Sequence, residues 1–181
     1  MRKTTKLLGV LLLSTLFALT ASANGHGIRA GYSLSSWSNN SAKFENYVHS
    51  PYIGYVHLVR VAPILMFGTG ADYQLSGYRF DSDNAIHQHS LSIPAYLRLG
   101  LGPLLVLAGV HGSASFVTSV PSGGDADNYR KFDGGPFFGL GVKFLSLSVD
   151  ARFYSNQVDR IKASSSESYA RMFQLGMTIT L

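Results

Sequence analysis

Beyond residue 24 the chain alternates apolar residues with small or polar ones at a period of two. In residues 65–76, for example, Phe67 and Tyr73 alternate with Gly68 and Asp72. This period is typical of β-strands whose two faces meet different surroundings. The segments that show it lie at 27–37, 47–58, 65–76, 90–99, 104–116, 132–143, 147–154 and 173–181. The sequence therefore predicts an all-β chain of eight strands.

The connections between the predicted strands alternate in length. The short ones lie around residues 59–63, 100–103 and 144–145. The long, polar ones lie around residues 38–46, 79–87, 118–130 and 155–168. Short turns at one end and long loops at the other are typical of outer-membrane barrels, where the short turns are periplasmic. The loop lengths therefore favour a barrel that crosses the outer membrane.

The first 23 residues have the form of a cleaved signal peptide. Arg2, Lys3 and Lys6 precede the apolar stretch 7–20, and Ala21-Ser22-Ala23 fits the small-x-small cleavage rule. The remaining residues, 24–181, are enough for one domain. Removing three of the 15 basic residues leaves 12 against 10 acidic ones, so the high pI of the whole chain is no argument for nucleic-acid binding.

Alternation alone leaves two kinds of barrel open. A soluble periplasmic ligand-binding barrel would turn its apolar face inward, whereas a membrane barrel would turn it toward lipid. The loop asymmetry favours the membrane, as do aromatic residues near the predicted long-loop ends, where an interfacial girdle would lie. These are Trp37, Phe44, Tyr47, Tyr78, Phe80, Tyr129, Phe132, Tyr154 and Tyr169. We expect an eight-stranded antiparallel up-and-down transmembrane β-barrel, monomeric, in the outer membrane.

The face opposite the apolar one carries Gly, Ser, Thr and charges of both signs. An eight-stranded barrel has an interior just wide enough for its own side chains to fill, and buried charges need partners of opposite sign. The charges predicted to form a network in this lumen are Arg29, Asp72, Arg98, Asp133, Lys143, Asp150 and Arg152. We expect this network to be structural, with a conducting or proton-relaying role as the alternative.

Residues 90–98 read SLSIPAYLR and residues 107–110 read LAGV. This pair of segments resembles the middle hairpin of the PorT-like family of small outer-membrane β-barrels. Residues 137–143, FFGLGVK, and 147–153, LSVDARF, resemble the next hairpin with its acidic-x-Arg pair, and 173–177, FQLGM, fits the terminal strand. The resemblance implies a fold and a membrane, not a reaction. The chain departs from many such barrels by ending in Leu181 rather than Phe.

No cofactor site, metal site or catalytic residue is predicted. His87 and His89 share a strand face, but two ligands without a third do not make a metal site. A lipid-modifying enzyme is the alternative, and it would need a Ser, a His and an orienting group on one surface. His111 and Ser113 share a face, but that face is the predicted lumen.

We therefore expect an integral outer-membrane protein without enzymatic activity and with an envelope-structural or surface-interaction role. Its expected partners are outer-membrane lipid, the barrel assembly machinery and an extracellular partner of the long loops. No nucleic acid is expected to bind. Loops carry binding functions more often than scaffolds do, but the loop sequences name no ligand.

Overall fold

A computed structural model of the chain describes residues 25–38, 47–79, 85–120, 130–156 and 169–181. The described residues form eight strands: β1 (Gly25–Ser38), β2 (Val48–Ala62), β3 (Leu65–Arg79), β4 (Ala85–Leu101), β5 (Leu104–Ser119), β6 (Phe132–Phe144), β7 (Leu147–Ser155) and β8 (Tyr169–Thr180). Each strand pairs antiparallel with the next, and β1 pairs with β8 to close the barrel. The predicted eight-stranded antiparallel up-and-down barrel is confirmed.

Two groups of predictions fall outside the described residues. They concern the signal peptide at 1–23 and most of the four long loops, of which residues 39–46, 80–84, 121–129 and 157–168 are not described. Within the described ranges, no helix is long and apolar enough to cross a membrane.

Three tight turns define one end of the barrel, which we call the short-turn end; the opposite end is the long-loop end. Gly102 adopts a φ of 64° in the β4–β5 turn, a conformation that glycine reaches without steric cost. Leu145 adopts a φ of 56° in the β6–β7 turn, where a side chain costs about 1–2 kcal/mol. The chain's last residue, Leu181, donates its backbone N–H to the His26 carbonyl at 2.7 Å, so both ends of the described barrel meet here.

Several strands are longer than their alternation predicts. β2 continues to Ala62 through a register irregularity after Arg60, a residue that the sequence placed in a turn. β4 begins at Ala85 and β8 at Tyr169, several residues before the predicted starts. In β4 and β8 the reason is that the outward face is no longer aliphatic, since His87 and His89 of β4 and Arg171 of β8 lie on it.

The apolar face of the barrel points outward. Ile28, Ile53, Leu97, Val110 and Leu140 are all at least half exposed on successive parts of the wall. The opposite face, with Gly, Ser and the charged residues, encloses the interior. Of the two barrels that the sequence leaves open, the structure has the one with its polar face inside.

Large apolar side chains also fill the lumen between the polar ones. This core cluster consists of Val56, Leu58, Tyr96, Leu105, Leu107, Phe137, Tyr154 and Met172. Tyr154 corrects the sequence analysis, which placed it in the interfacial girdle. It lies instead inside the barrel, stacked on Phe137 with ring centroids 4.7 Å apart, because it shares the inward face of β7 with Asp150 and Arg152. Phe132, in contrast, is exposed at the long-loop end.

Candidate functional site

Four of the seven predicted lumen charges meet at mid-height, where we call them the central cluster: Arg29, Asp72, Asp150 and Arg152. Asp150 accepts hydrogen bonds from Arg29 Nη2 at 3.0 Å and from Arg152 Nε at 2.7 Å. Asp72 lies 3.6 Å from Arg29 Nη1, a longer contact. All four side chains are buried, so each charge depends on the others in place of water.

Arg29 reaches Asp150 across an intervening strand. Arg29 lies on β1 and Asp150 on β7, and β8 passes between them. The residue of β8 paired with Asp150 is Gly176. A Cβ there would meet the Tyr52 hydroxyl and would lie 3.0 Å from Arg29 Nη2. Because Gly176 has no side chain, the Arg29 guanidinium can pass over β8 to reach Asp150.

Aromatic and amide groups complete the surroundings of both arginines. Arg29 stacks over Tyr52 at 4.6 Å, and Arg152 over Tyr96 at 4.9 Å. Such cation–π contacts are worth about 2 kcal/mol when desolvated. Gln174 accepts a hydrogen bond from Arg29 Nη1 and donates one to Gln74 on β3, each at 3.0 Å, so the network crosses the lumen from wall to wall.

The other three predicted charges do not join the central cluster. Asp133 lies nearer the long-loop end, and Arg98 lies toward the short-turn end; both are buried. Lys143 is exposed at the short-turn mouth, contrary to the expected lumen network, because its position near the end of β6 brings it to the rim. The sequence identified the inward-facing positions but not the height at which each lies.

Asp133 belongs to a chain of polar contacts near the long-loop end, formed with Asn156, His111 and Ser92. The Asn156 Nδ2 donates to Asp133, and the Oδ1 of Asn156 therefore faces His111 Nε2, 2.9 Å away. His111 Nε2 would donate to this oxygen, and in a neutral ring Nδ1 would accept from the Ser92 hydroxyl, which lies 3.4 Å away. His111 on β5 therefore contacts Ser92 on the neighbouring strand β4.

A Ser, His and Asn in series are the residue types of a hydrolase relay. Here, however, Ser92 is 2% exposed and faces the filled lumen. An acyl substrate would have to replace packed side chains to reach it. The arrangement is better suited to satisfying buried polar groups, which cost free energy when left unpaired.

The short-turn mouth collects three cations, which we call the lower basic mouth: Arg60, Arg98 and Lys143. They lie on β2, β4 and β6 and line a cavity of about 290 Å³ that also contacts Pro63 and Ile64. Arg60 and Arg98 lie at one level, since both pair in register with Met66 of β3. The sequence missed Arg60 because its strand was ended at residue 58, although it is in phase with Val56 and Leu58.

The histidine pair on β4 lies outside the lumen. His89 Nδ1 is 2.6 Å from the Tyr73 hydroxyl, and its ring also contacts Phe116 on the exterior. Within the ranges that the structure describes, no group of three His, Cys, Asp or Glu side chains could hold a metal ion.

No protein-family model matches the chain, and no curated protein matches it in sequence. Among solved structures it is similar to Neisserial surface protein A (NspA), with a TM-score of 0.60 at 13% identity, over 86% of this chain and 97% of that chain. It is also similar to Ail, the attachment invasion locus protein of Yersinia pestis, with a TM-score of 0.50 at 13% identity, over 87% and 98% of the two chains. Ail in complex with the heparin analogue sucrose octasulfate gives a TM-score of 0.52 at 11% identity over the same shares.

These likenesses extend over nearly the whole of both solved proteins and support the barrel fold. At such low identity they carry no residue-level correspondence. Because no family model matches, the PorT-like resemblance stays a prediction.

Proposed function

We propose that this chain is an integral outer-membrane β-barrel without enzymatic activity, serving a surface-interaction role through its long-loop end. The observation that carries the proposal is the inverted polarity of the barrel. Leu140 is 64% exposed on the outside, while Arg29 and Arg152 are almost fully buried inside. In water the exposed apolar wall would be costly, whereas in a bilayer lipid would cover it and the polar face would line a lumen that lipid does not enter.

The backbone also meets the requirements of a bilayer. A closed barrel pairs every strand on both edges, so no ladder is left open toward lipid. The strands run from 9 to 17 residues, and about 9–11 tilted residues suffice to span the hydrocarbon. The filled lumen argues against a general diffusion pore, so we locate the function at the ends of the barrel.

The proposal brings three expected partners with it. Outer-membrane lipid would cover the apolar wall, and the barrel assembly machinery would insert the chain. The closed sheet offers no free edge to a second copy in the described strands, which supports a monomer. An extracellular partner would bind at the long-loop end.

Site-directed spin labelling tests the membrane claim, and the chain contains no cysteine that would interfere. We would place single nitroxides at Leu97→Cys and Leu140→Cys on the outer wall and at Lys131→Cys near the long-loop end, in protein refolded into vesicles. The two wall labels should collide readily with oxygen and poorly with a water-soluble nickel complex, and the Lys131 label should do the reverse. Ready access of the nickel complex to all three would refute membrane insertion.

The long-loop end also offers a candidate binding surface. A cleft of about 730 Å³ opens beside β5 and β6, lined by exposed Arg130, Lys131 and Phe132. The Lys131 carbonyl accepts the Ser115 N–H at 2.6 Å, which fixes this stretch to the barrel wall. Adjacent cations beside an aromatic ring favour an anionic partner. The heparin analogue bound by the similar barrel Ail is of that class.

Sucrose octasulfate is therefore the probe for this cleft. Binding by the folded protein should weaken at least about tenfold in the double variant Arg130→Gln/Lys131→Gln, which removes two charge-assisted contacts. The control is Arg171→Gln, which removes an exposed cation of β8 that does not line the cleft. If both variants lose the same affinity for sucrose octasulfate, binding depends on the net charge of the protein alone, which would contradict a binding site in the cleft.

A further inference from the structure

The lower basic mouth carries positive charge without a counter-charge. Within the described part of the chain, the ion pairs join Arg29, Arg152, Asp72 and Asp150, and none includes a residue of this mouth. The inward-facing aspartates of the described strands lie higher in the lumen, where Asp150 is shared by two other arginines. The three cations therefore face one another across a cavity with no described carboxylate in contact.

Arg98 is the residue for which this arrangement is most costly. It is 5% exposed, and its Nε has no hydrogen-bond partner. A buried guanidinium without an anion loses hydration that nothing replaces. Arg29 and Arg152 show how the same barrel treats a buried guanidinium elsewhere, with a carboxylate and an aromatic face for each. Arg98 lines the cavity, so an anion there would supply what the protein does not.

The size and donors of the cavity indicate the class of that anion. Its volume of about 290 Å³ corresponds to roughly ten water molecules in the liquid, enough for one hydrated oxoanion and too little for an acyl chain. Guanidinium groups match the oxygens of a phosphate in pairs, and an ammonium adds a point charge.

We propose that the lower basic mouth is a binding site for a phosphate-type oxoanion, held by Arg60, Arg98 and Lys143. Two sources share this chemistry: a free phosphate group and the headgroup of an anionic phospholipid. The rim contains Pro63 and exposed Ile64, so a headgroup could enter from the membrane boundary while its chains stay outside. The site does not depend on the surface-interaction role, and in the proposed orientation it faces the periplasm.

The first arm of the test titrates inorganic phosphate into the folded full chain in a phosphate-free maltoside detergent, by calorimetry at constant ionic strength. Arg98→Gln should weaken binding by about tenfold or more. Arg60→Gln/Lys143→Gln should do the same, and because both of those side chains are exposed it keeps the test open if Arg98→Gln fails to fold. Arg171→Gln, which replaces an exposed cation of β8 that lines neither cavity, is the control and should bind like the parent.

The second arm identifies the source of the anion. Protein released from vesicles of phosphatidylglycerol in phosphatidylcholine is examined by native mass spectrometry for retained anionic lipid. Retention that falls in the lower-mouth variants and not in the control assigns the site to a lipid headgroup. Phosphate binding without lipid retention assigns it to a free phosphate group. If neither ligand binds, or the control weakens as much as the lower-mouth variants, the proposal is overturned.

Discussion

Asp150 accepts hydrogen bonds from two buried arginines, so replacing it with asparagine removes the anion on which both depend. Asparagine has nearly the same shape, and the change is therefore one of charge and hydrogen bonding rather than volume. Both short hydrogen bonds end on Asp150 Oδ1, so an asparagine oxygen placed there would still accept them but without the negative charge, while its amide N–H₂ would face the donor Arg152 Nη2, which lies 3.4 Å from Oδ2. The central cluster would retain Arg29 and Arg152 against Asp72 alone.

The size of the effect follows from the contacts. Asp150 lies 3.0 Å from Arg29 Nη2 and 2.7 Å from Arg152 Nε. Hydrogen bonds to charged groups contribute about 1.5–3 kcal/mol each, and breaking a buried ion pair by removing one partner costs about 3–5 kcal/mol. We expect Asp150→Asn to lower the free energy of unfolding by about 3–5 kcal/mol. Asp72→Asn removes only the longer 3.6 Å contact with Arg29 and should cost less than Asp150→Asn.

The assay is equilibrium unfolding in urea of protein refolded into vesicles, with the folded fraction read from the gel shift between unheated and heated samples. Asp72→Asn is the matched control, since it removes an equal charge from the same cluster. Adding Arg29→Gln to Asp150→Asn should recover part of the loss, because one of the two unpaired cations is gone. A loss below about 1 kcal/mol, or one equal to that of Asp72→Asn, would refute the assigned role of Asp150.

Three further predictions test the wall, the packing and the polar chain. Leu140→Arg should lower the free energy of unfolding in vesicles by about 2–4 kcal/mol, whereas a near-neutral result would contradict a lipid-facing wall. Gly176→Ala should cost about 1–3 kcal/mol through overlap with the Tyr52 hydroxyl, which has no hydrogen-bond partner. The double variant Gly176→Ala/Tyr52→Phe should regain most of the lost free energy of unfolding in the same assay. If it does not, the clash is not with the Tyr52 hydroxyl. Ser92 should not react with a fluorophosphonate probe, because its hydroxyl is buried, and peptide mass spectrometry would detect any modification. Labelling of Ser92 would support the alternative of a lipid-modifying enzyme.

Much of the architecture could be predicted because the two faces of each strand differ so strongly. The alternation in residues 65–76 predicted β3 and predicted that Asp72 faces the lumen. The structure shows the strand at Leu65–Arg79 and Asp72 buried in the lumen. The prediction failed where the contrast fades. At the start of β8 the exposed Arg171 interrupts the apolar outward face, so the strand was begun after Tyr169. β2 was ended before Arg60, the residue after which its register with β3 becomes irregular.

The partners of the lumen residues could not be predicted in the same way. Alternation gives the face of a residue but not its height, which depends on the stagger accumulated around a closed barrel. The alternation predicts that Asp133 on β6 and Asp150 on β7 both point inward. Asp133 contacts Asn156, whereas Asp150 contacts Arg29. Lys143 is also in phase with the lumen and still reaches the rim. Contacts across the lumen, such as that of Gln174 with Gln74, leave no pattern in sequence at all.

The path of Arg29 over Gly176 bears on how the barrel closes. β1 and β8, the first and last strands of the barrel, pair to close it, and their register runs from Gly27↔Thr180 to Ser38↔Tyr169. A slip of two residues at this seam would keep every apolar side chain outside, so lipid could not distinguish it from the native pairing. It would, however, move Arg29 about 7 Å along the strand and away from Asp150. The buried charges therefore contribute to the choice of register, because a shift by an even number of residues would separate the ion pairs although it leaves the apolar exterior unchanged.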